Sequence, residues 1–256
     1  MNTQQKSLDT RIARILTNPS CRDFLLVDAK DADMAFGLAA PGVLSNHVAE
    51  DNLFRTMEFY REQICGIVAD GHIDVMLMSA NTNAQLTIDK QLFETSSVTP
   101  AVRMNDTTDI WLSAGTGSYS TQPALPFSTC TIKEAQYGWN PVETKTDTPG
   151  SDTVPGANLG LFSLTLNDQA SVDQPILNAY KNFRLDAEQN NFKHFLEIFY
   201  PNCLERRRQI PALDRFIADQ AVRCLAGIPQ KNRPLFLKIP YLRPAVMEQL
   251  LSLIHI

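Results

Sequence analysis

Short apolar runs alternate with amphipathic stretches along nearly the whole chain. Apolar runs at 24–29, 73–79, 99–104, 157–165, 194–199 and 234–240 are of strand length and bounded by turn residues. Between them the apolar positions recur at helical spacing. Residues 7–17 form an amphipathic segment closed by Asn18-Pro19-Ser20. Residues 51–69 carry Leu53, Met57, Tyr60, Ile64 and either Ile67 or Val68 on one face, and Gly71 stops them. Further helices are predicted over 83–93, 174–190 and 214–225, and over 244–251, where Pro244 suits a first turn.

Strands that are apolar on both faces, each followed by a helix, indicate parallel βαβ units. No GxGxxG follows the first strand, so a dinucleotide-binding open sheet loses support. The expected fold is α/β, a (β/α)8 TIM barrel that is incomplete, with about six of the eight βα units. The chain is read as a single barrel domain over 1–256, with an insertion at about 106–155 rich in Thr, Ser, Gly and Pro. A structureless loop of that length does not suit a compact domain, so a helix near 132–137 is expected within it. The ending Leu251-Ser-Leu-Ile-His-Ile256 resembles a translated sequencing-adapter tail, and 251–256 is read as non-native.

Composition narrows the function. The chain has 256 residues, 44% hydrophobic and 20% charged, which suits one large core. A net charge of −5 speaks against a nucleic-acid partner. The five cysteines show no CxxC or metal spacing and read as reduced thiols of a cytoplasmic protein. There is no signal-like leader and no apolar run near the roughly 18 residues of a membrane span. His47, His72, His194 and His255 share no spacing, and no metal or other cofactor is expected.

The phase of each strand selects candidate site residues. In the sixth strand Leu235, Leu237 and Ile239 form the helix-facing set, which turns Lys238 toward the barrel axis with Phe236. The same logic turns Glu197 inward with Phe195 and Phe199, Asp28 with Phe24 and Leu26, and Arg103 with Ala101 and Asn105. Strand four presents Ser163 and Thr165, and strand two presents Ser79 and Asn81. All fall toward the C-terminal ends of their strands, where barrel enzymes keep their chemistry.

A desolvated lysine beside another cation favours its neutral amine, which can attack a carbonyl. Asp28 and Glu197 are the carboxylates available for proton transfer, and Arg103 can hold a phosphate or carboxylate. The alternative for Lys238 is a fixed salt bridge to Glu197, with equal weight on spacing alone. Asp31 and Asp33 read as capping or loop residues, and Arg103 has Asp106 or Asp28 as alternative structural partners.

Phe236-Leu-Lys-Ile-Pro-Tyr241 on a sixth strand resembles the Schiff-base strand of the class I aldolase superfamily. The similarity is greatest to archaeal-type fructose-bisphosphate aldolases, and extends to the deoxyribose-phosphate and tagatose-bisphosphate types. Leu25-Leu-Val-Asp28, Ala101-Val-Arg-Met104, Gly156-Ala-Asn-Leu-Gly160 and Phe195-Leu-Glu-Ile198 resemble that superfamily's strands one, three, four and five in order. The resemblance spans roughly 23–250, leaving most of 106–155 outside it. It implies Lys238 as the imine-forming residue, with Asp28 and Glu197 in proton transfer or hydrogen bonding.

Two departures stand out. A tyrosine late in strand four serves as an acid in the archaeal-type enzymes, where this chain has Thr165. The family's phosphate site follows strands seven and eight, for which no counterpart is read here.

The expectation is a class I aldolase-like aldehyde-lyase whose catalytic residues are Lys238, Asp28 and Glu197. Its substrate-binding set is Arg103, Asn105, Ser79, Asn81, Ser163, Thr165 and Lys30. Its partner is a small sugar phosphate or keto acid, and association as a homo-oligomer stays open. The rival is a silent barrel homologue that binds a sugar phosphate with Lys238 in a structural ion pair.

Overall fold

The structure is a computed structural model that describes residues 5–44, 53–112, 117–138 and 154–254. His47, His255, the expected helix start at Asp51, residues 139–153 of the insertion and the end of the tail lie outside the described residues.

Helix α1 (Ser7–Thr17) leads into strand β1 (Val27–Lys30) and the short α2 (Ala32–Phe36). Helix α3 (Met57–Asp70) precedes β2 (Val75–Met78), which runs into α4 (Ala80–Asn83) and a π-helical turn over Ala84–Asp89. Strand β3 (Thr99–Arg103) is followed by β4 (Asp106–Thr107), α5 (Thr108–Leu112), β5 (Pro126–Phe127) and α6 (Ile132–Tyr137). Then come β6 (Leu159–Thr165), α7 (Ala170–Gln189), β7 (Lys193–Phe199), α8 (Leu204–Gln209), α9 (Leu213–Ala226), β8 (Leu237–Lys238) and α10 (Pro244–Ile254).

The chain divides into two compact units, Met1–Arg103 with Cys130–Leu159, and Met104–Thr129 with Gly160–Ile256. In the first, β1 pairs with β2 and β2 with β3, both parallel. Tyr60, Ile64 and Val68 of α3 pack with Met76 and Met78 of β2, as the helical spacing predicted. Gly71 ends α3 in the left-handed region at φ 67°, a conformation that costs glycine little. Leu53, expected on this helix, lies outside it and is exposed.

The region between β3 and β6 does contain the expected helix over 132–137. Thr131 and Glu134 form a reciprocal capping box at its start. Gly156 and Ala157 then clip its last turn, donating their N–H groups to Gln136 at 2.8 Å and Ala135 at 3.1 Å. A Cβ on Gly156 would sit 2.3 Å from the Ala135 carbonyl oxygen, so only glycine permits this approach.

In the second unit β6, β7 and β8 are successive neighbours, with β7 and β8 parallel. Phe162 and Leu164 of β6, Leu196 and Ile198 of β7, and Leu237 and Ile239 pack against Ile176, Tyr180, Ile217, Ala221, Leu225 and Leu250 of the helices. The aliphatic sets of these strands therefore face the helices, and the polar sets take the other face.

Other boundaries also differ from the expectation. The first strand begins at Val27 because the Asp74 carboxylate, not a strand, binds the N–H of Leu26 at 2.9 Å. Phe24 and Leu26, expected inward, are 68% and 46% exposed. Helix α7 starts one turn before Pro175, because Asp173 accepts the N–H groups of Asn167 at 2.8 Å and Gln169 at 2.9 Å. The sixth strand is short and half-buried, since Pro234 and Pro240 bound it and cannot donate to a ladder.

His194 gives the second unit a pH dependence. It is buried beside Tyr180, with Nε2 3.0 Å from the phenol oxygen. Burial, and then the charge of Arg184, hold its pKa down at about 4 against 6.5 ordinarily. The unfolded chain takes up this proton before the folded chain does. Stability from this group is therefore complete above about pH 6.5 and lost as pH falls toward 4, by ~3 kcal/mol. His194→Gln should remove that acid-side slope in urea titrations between pH 7 and 4. Identical slopes for both proteins would refute the assignment.

Candidate functional site

One buried polar cluster of the second unit sits on the strand face turned away from the helices. Glu197 and Lys238 are register partners on β7 and β8, and their side chains meet with Nζ 2.6 Å from Oε1. Glu197 Oε2 accepts a hydrogen bond from Ser163 Oγ on β6 at 3.1 Å. The two ends of the ion pair differ in hydration. The Lys238 side chain is 41% exposed, while that of Glu197 is 4% exposed. The lysine expected to be buried is therefore half-exposed, and the desolvated charge of the pair is the carboxylate. Water partly screens the attraction, but removing the ammonium leaves a buried carboxylate with one partner fewer.

Asn105 secures this arrangement from the segment after β3. Met104 donates its backbone N–H to Leu161 of β6 at 2.9 Å. One residue later, the Asn105 side chain takes over the role of a neighbouring strand's backbone. Its Nδ2 donates to the Ser163 carbonyl at 3.0 Å, and its Oδ1 accepts the Ser163 N–H at 2.7 Å. An amide side chain carries the same donor and acceptor as a peptide group, so it satisfies both Ser163 backbone groups. Asn105 was expected to bind substrate, but its amide is taken up by Ser163.

Gly160, lower on β6, allows close packing, since a Cβ there would lie 2.4 Å from Met104 Cγ and 2.5 Å from Phe192 Cε1. Thr165, two residues beyond Ser163 on the same face, is fully buried, and its hydroxyl has no hydrogen-bond partner among the described residues. Phe195 and Phe236 stack at 4.6 Å beside Glu197 and Lys238 in the sequence of their strands.

A second cluster lies in the first unit. Arg103, buried at the end of β3, is ion-paired through Nε with Asp31 Oδ2, where Asp106 or Asp28 was the expected structural partner. Ser79 is the N-cap of α4 and donates to Asp33 at 2.5 Å, and Thr82 donates to the same oxygen at 3.2 Å. Burial nevertheless raises the Asp33 carboxyl above its ordinary range. The Tyr60 phenol is likewise raised by burial, and next by the nearby Asp33 charge. Asp28 and Lys30 are half-buried on β1.

Asn81 departs from its expected inward position. The strand period ends at Met78, and the helical turn that begins at Ala80 carries Asn81 to the exposed side, where it accepts from Gln85 at 3.1 Å. The same turn brings in Thr82 and Asn83, which the strand reading missed, and Asn83 donates to the Ala135 carbonyl at 2.9 Å. A Ser N-cap followed by helical spacing is the signal that would have found them.

Among the described residues no group of three or more His, Cys, Asp or Glu side chains is placed to hold a metal ion. No described helix is long and apolar enough to cross a membrane.

No family model matches the chain, and no curated protein does. Solved structures do. A Schiff-base-forming fructose-1,6-bisphosphate aldolase matches at TM-score 0.55 and 15% identity, over 96% of this chain and 76% of its own. An archaeal fructose 1,6-bisphosphate aldolase matches at 0.54 and 14%, over 96% and 75%. A further archaeal fructose-1,6-bisphosphate aldolase, with its catalytic lysine bound to the carbinolamine intermediate of its substrate, matches at 0.55 and 15%, over 96% and 76%. The likeness shows the fold: an α/β barrel of the (β/α)8 class, of which six barrel strands are present among the described residues.

The Asn105 arrangement predicts a specific asymmetry. Asn105→Ala takes a partner from the buried N–H and another from the carbonyl of Ser163 and should cost ~2–4 kcal/mol in urea unfolding. Asn105→Asp keeps the acceptor for the Ser163 N–H and loses the donor, so it should fall between Ala and the native residue. An alanine variant as stable as the native chain would show that the amide does not hold β6.

Proposed function

We propose that the protein is a class I aldolase-like lyase that makes or breaks a carbon–carbon bond through an imine on Lys238. The observation that supports this most is the contact between Lys238 and Glu197 on neighbouring strands, 2.6 Å apart, within a fold shared with Schiff-base aldolases.

An ammonium cannot attack a carbonyl, so Lys238 must first give up a proton, and Glu197 Oε1 is an acceptor already within hydrogen-bond reach. The freed amine adds to the carbonyl carbon of a ketose or keto acid, giving a carbinolamine. Loss of water, with the proton supplied by the acid form of Glu197, leaves an iminium. That positive nitrogen draws in the electron pair of the adjacent carbon–carbon bond as the β-hydroxyl loses its proton, releasing an aldehyde and an enamine. Protonation of the enamine and hydrolysis of the imine return Lys238. Carbonyl activation comes from the iminium charge, so this route is proposed to need no metal.

Half-exposure of Lys238 suits this role, since a small substrate must reach Nζ. Ser163 fixes the second Glu197 oxygen, and the buried Thr165 hydroxyl is proposed to meet a polar group of the substrate. The resemblance assigns proton transfer or hydrogen bonding to Asp28 as well, and the guanidinium of Arg103 has the chemistry to hold a phosphate or carboxylate. The proposed substrate is a small phosphorylated ketose or a keto acid.

The close Lys238–Glu197 pair also supports a second reading, in which the barrel is catalytically silent, binds a sugar phosphate, and keeps Lys238 as a structural cation. Borohydride reduction separates them. With dihydroxyacetone phosphate present, the lyase reading predicts an irreversible mass addition that peptide mapping places on Lys238, absent in Lys238→Met and insensitive to a chelator. No adduct across a panel of ketones and aldehydes, with Lys238→Met merely less stable, would favour the silent barrel.

A further inference from the structure

One side-chain amide ties three segments of the second unit together. Asn202 lies three residues beyond the end of β7 and is buried. Its Oδ1 accepts the Ala124 N–H at 3.1 Å and a bond from Asn167 Nδ2 at 2.8 Å. Its Nδ2 donates to the carbonyls of Tyr119 at 2.6 Å and Gln122 at 2.7 Å. An amide offers two N–H donors and two acceptor sites, so this one is fully used. Asn167, two residues beyond β6 and also buried, accepts the Cys203 N–H through its own Oδ1 at 3.0 Å.

These bonds fasten residues 118–125 to the loops that follow β6 and β7. Ser118–Ser120 form a single 3-10 turn, and Ala124 enters the core with Phe162 and Leu164. Leu125 donates its N–H to Thr108 Oγ1 at 2.8 Å, and its carbonyl accepts the Thr108 N–H at 2.9 Å. The middle of the segment faces water, with Tyr119, Thr121 and Gln122 exposed. Asn202 grips the segment through backbone groups only, which leaves the Tyr119 and Gln122 side chains to meet a ligand. Ser118-Tyr119-Ser120-Thr121-Gln122 is an unbroken run of uncharged side chains that hydrogen-bond. Burial, and next the charge of Asp109, raise the Tyr119 phenol, so it keeps its proton at neutral pH.

Barrel enzymes choose their substrates with loops at the C-terminal ends of the strands. Thr165 ends β6, and Glu197 stands two residues before the end of β7, so the segment is fastened at the end of the strands that carries the candidate site. We propose that residues 118–122 select the substrate by binding the hydroxylated carbon chain of a ketose beyond its carbonyl, and that Asn202 is the positioning residue that holds them in place. The inference rests on the lyase reading, because the imine on Lys238 is what brings a ketose carbonyl to this unit. The match is chemical. A sugar hydroxyl both donates and accepts and carries no charge, and neutral hydroxyl and amide side chains do the same.

Borohydride trapping on Lys238 in the full chain reads this selectivity, with dihydroxyacetone phosphate and fructose 1-phosphate as probes. Both place the same phosphorylated carbon beside the carbonyl, and only fructose 1-phosphate carries a longer hydroxylated chain on the other side. The readout is the ratio of the concentrations that give half-maximal adduct. In Asn202→Ala that ratio should move about tenfold or more against fructose 1-phosphate, and Tyr119→Ala/Gln122→Ala should move it the same way. The double variant alters exposed side chains only, so it decides the matter if Asn202→Ala fails to fold. A ratio within about threefold of the native value in either folded variant, with adduct yield falling alike for both ketoses, would reduce Asn202 to a structural role. It would overturn the inference and leave the lyase reading intact, as would native protein trapped by dihydroxyacetone phosphate but never by fructose 1-phosphate. No adduct with either ketose would instead overturn the lyase reading, and this inference with it.

Discussion

The second unit is organised around one buried carboxylate. Glu197 lies on a strand whose alternate residues pack against helices, so its charge has little water to rely on. Lys238 Nζ at 2.6 Å and Ser163 Oγ at 3.1 Å compensate for that loss. Both partners come from neighbouring strands, and their positions follow from register: Glu197 faces Lys238 directly across the β7–β8 ladder. A slip of one residue would turn Lys238 toward the aliphatic core and leave Glu197 facing Leu237 or Ile239. The ion pair and the aliphatic packing of Leu196, Ile198, Leu237 and Ile239 thus select the same register from opposite faces.

The same constraint explains Asn105. Ser163 can reach Glu197 only while β6 holds its position beyond the last backbone bond from Met104. The side-chain amide supplies that support and leaves the backbone free to turn into the short β4–β5 ladder, where Asp106 pairs with Phe127 and Thr107 with Pro126. Asn105 thus connects the segment after β3 to the strand that carries Ser163. Glycine at 160 serves the same end at the start of β6, because any larger residue would push Met104 and Phe192 away.

Much of this was legible in the chain, and the failures have identifiable causes. The six apolar runs are strands because continuous burial leaves a direct mark on composition. The helix over Ile132–Tyr137 was legible because its cap is local, built from Thr131 and Glu134. Strand phase correctly separated Ser163, Thr165, Glu197 and Lys238 from their aliphatic neighbours. Phase failed where the period changed. Asn81 was counted as strand, yet it belongs to a helical turn that Ser79 caps. Phe24 and Leu26 were counted inward because hydrophobicity was taken for pairing, although Asp74 ends the ladder before them. The pairing of Arg103 with Asp31 had no local signature, since the partners are 72 residues apart. Which of several nearby acids an arginine takes is decided by tertiary geometry. The hydration of Lys238 was hidden for a similar reason. An apolar strand sequence does not reveal that only Leu237 and Lys238 form the strand itself.

A double-mutant cycle on Glu197→Gln and Lys238→Met, read as unfolding free energy in urea at pH 7, tests the central interaction directly. The expected coupling is about 1–2 kcal/mol, below the range for a fully buried pair because Lys238 is half-exposed, and a single Lys238→Met should be more damaging than Lys238→Met made in the Glu197→Gln background. Strict additivity of the two substitutions would mean that the carboxylate and the ammonium do not depend on each other, and would contradict the organisation described for this unit.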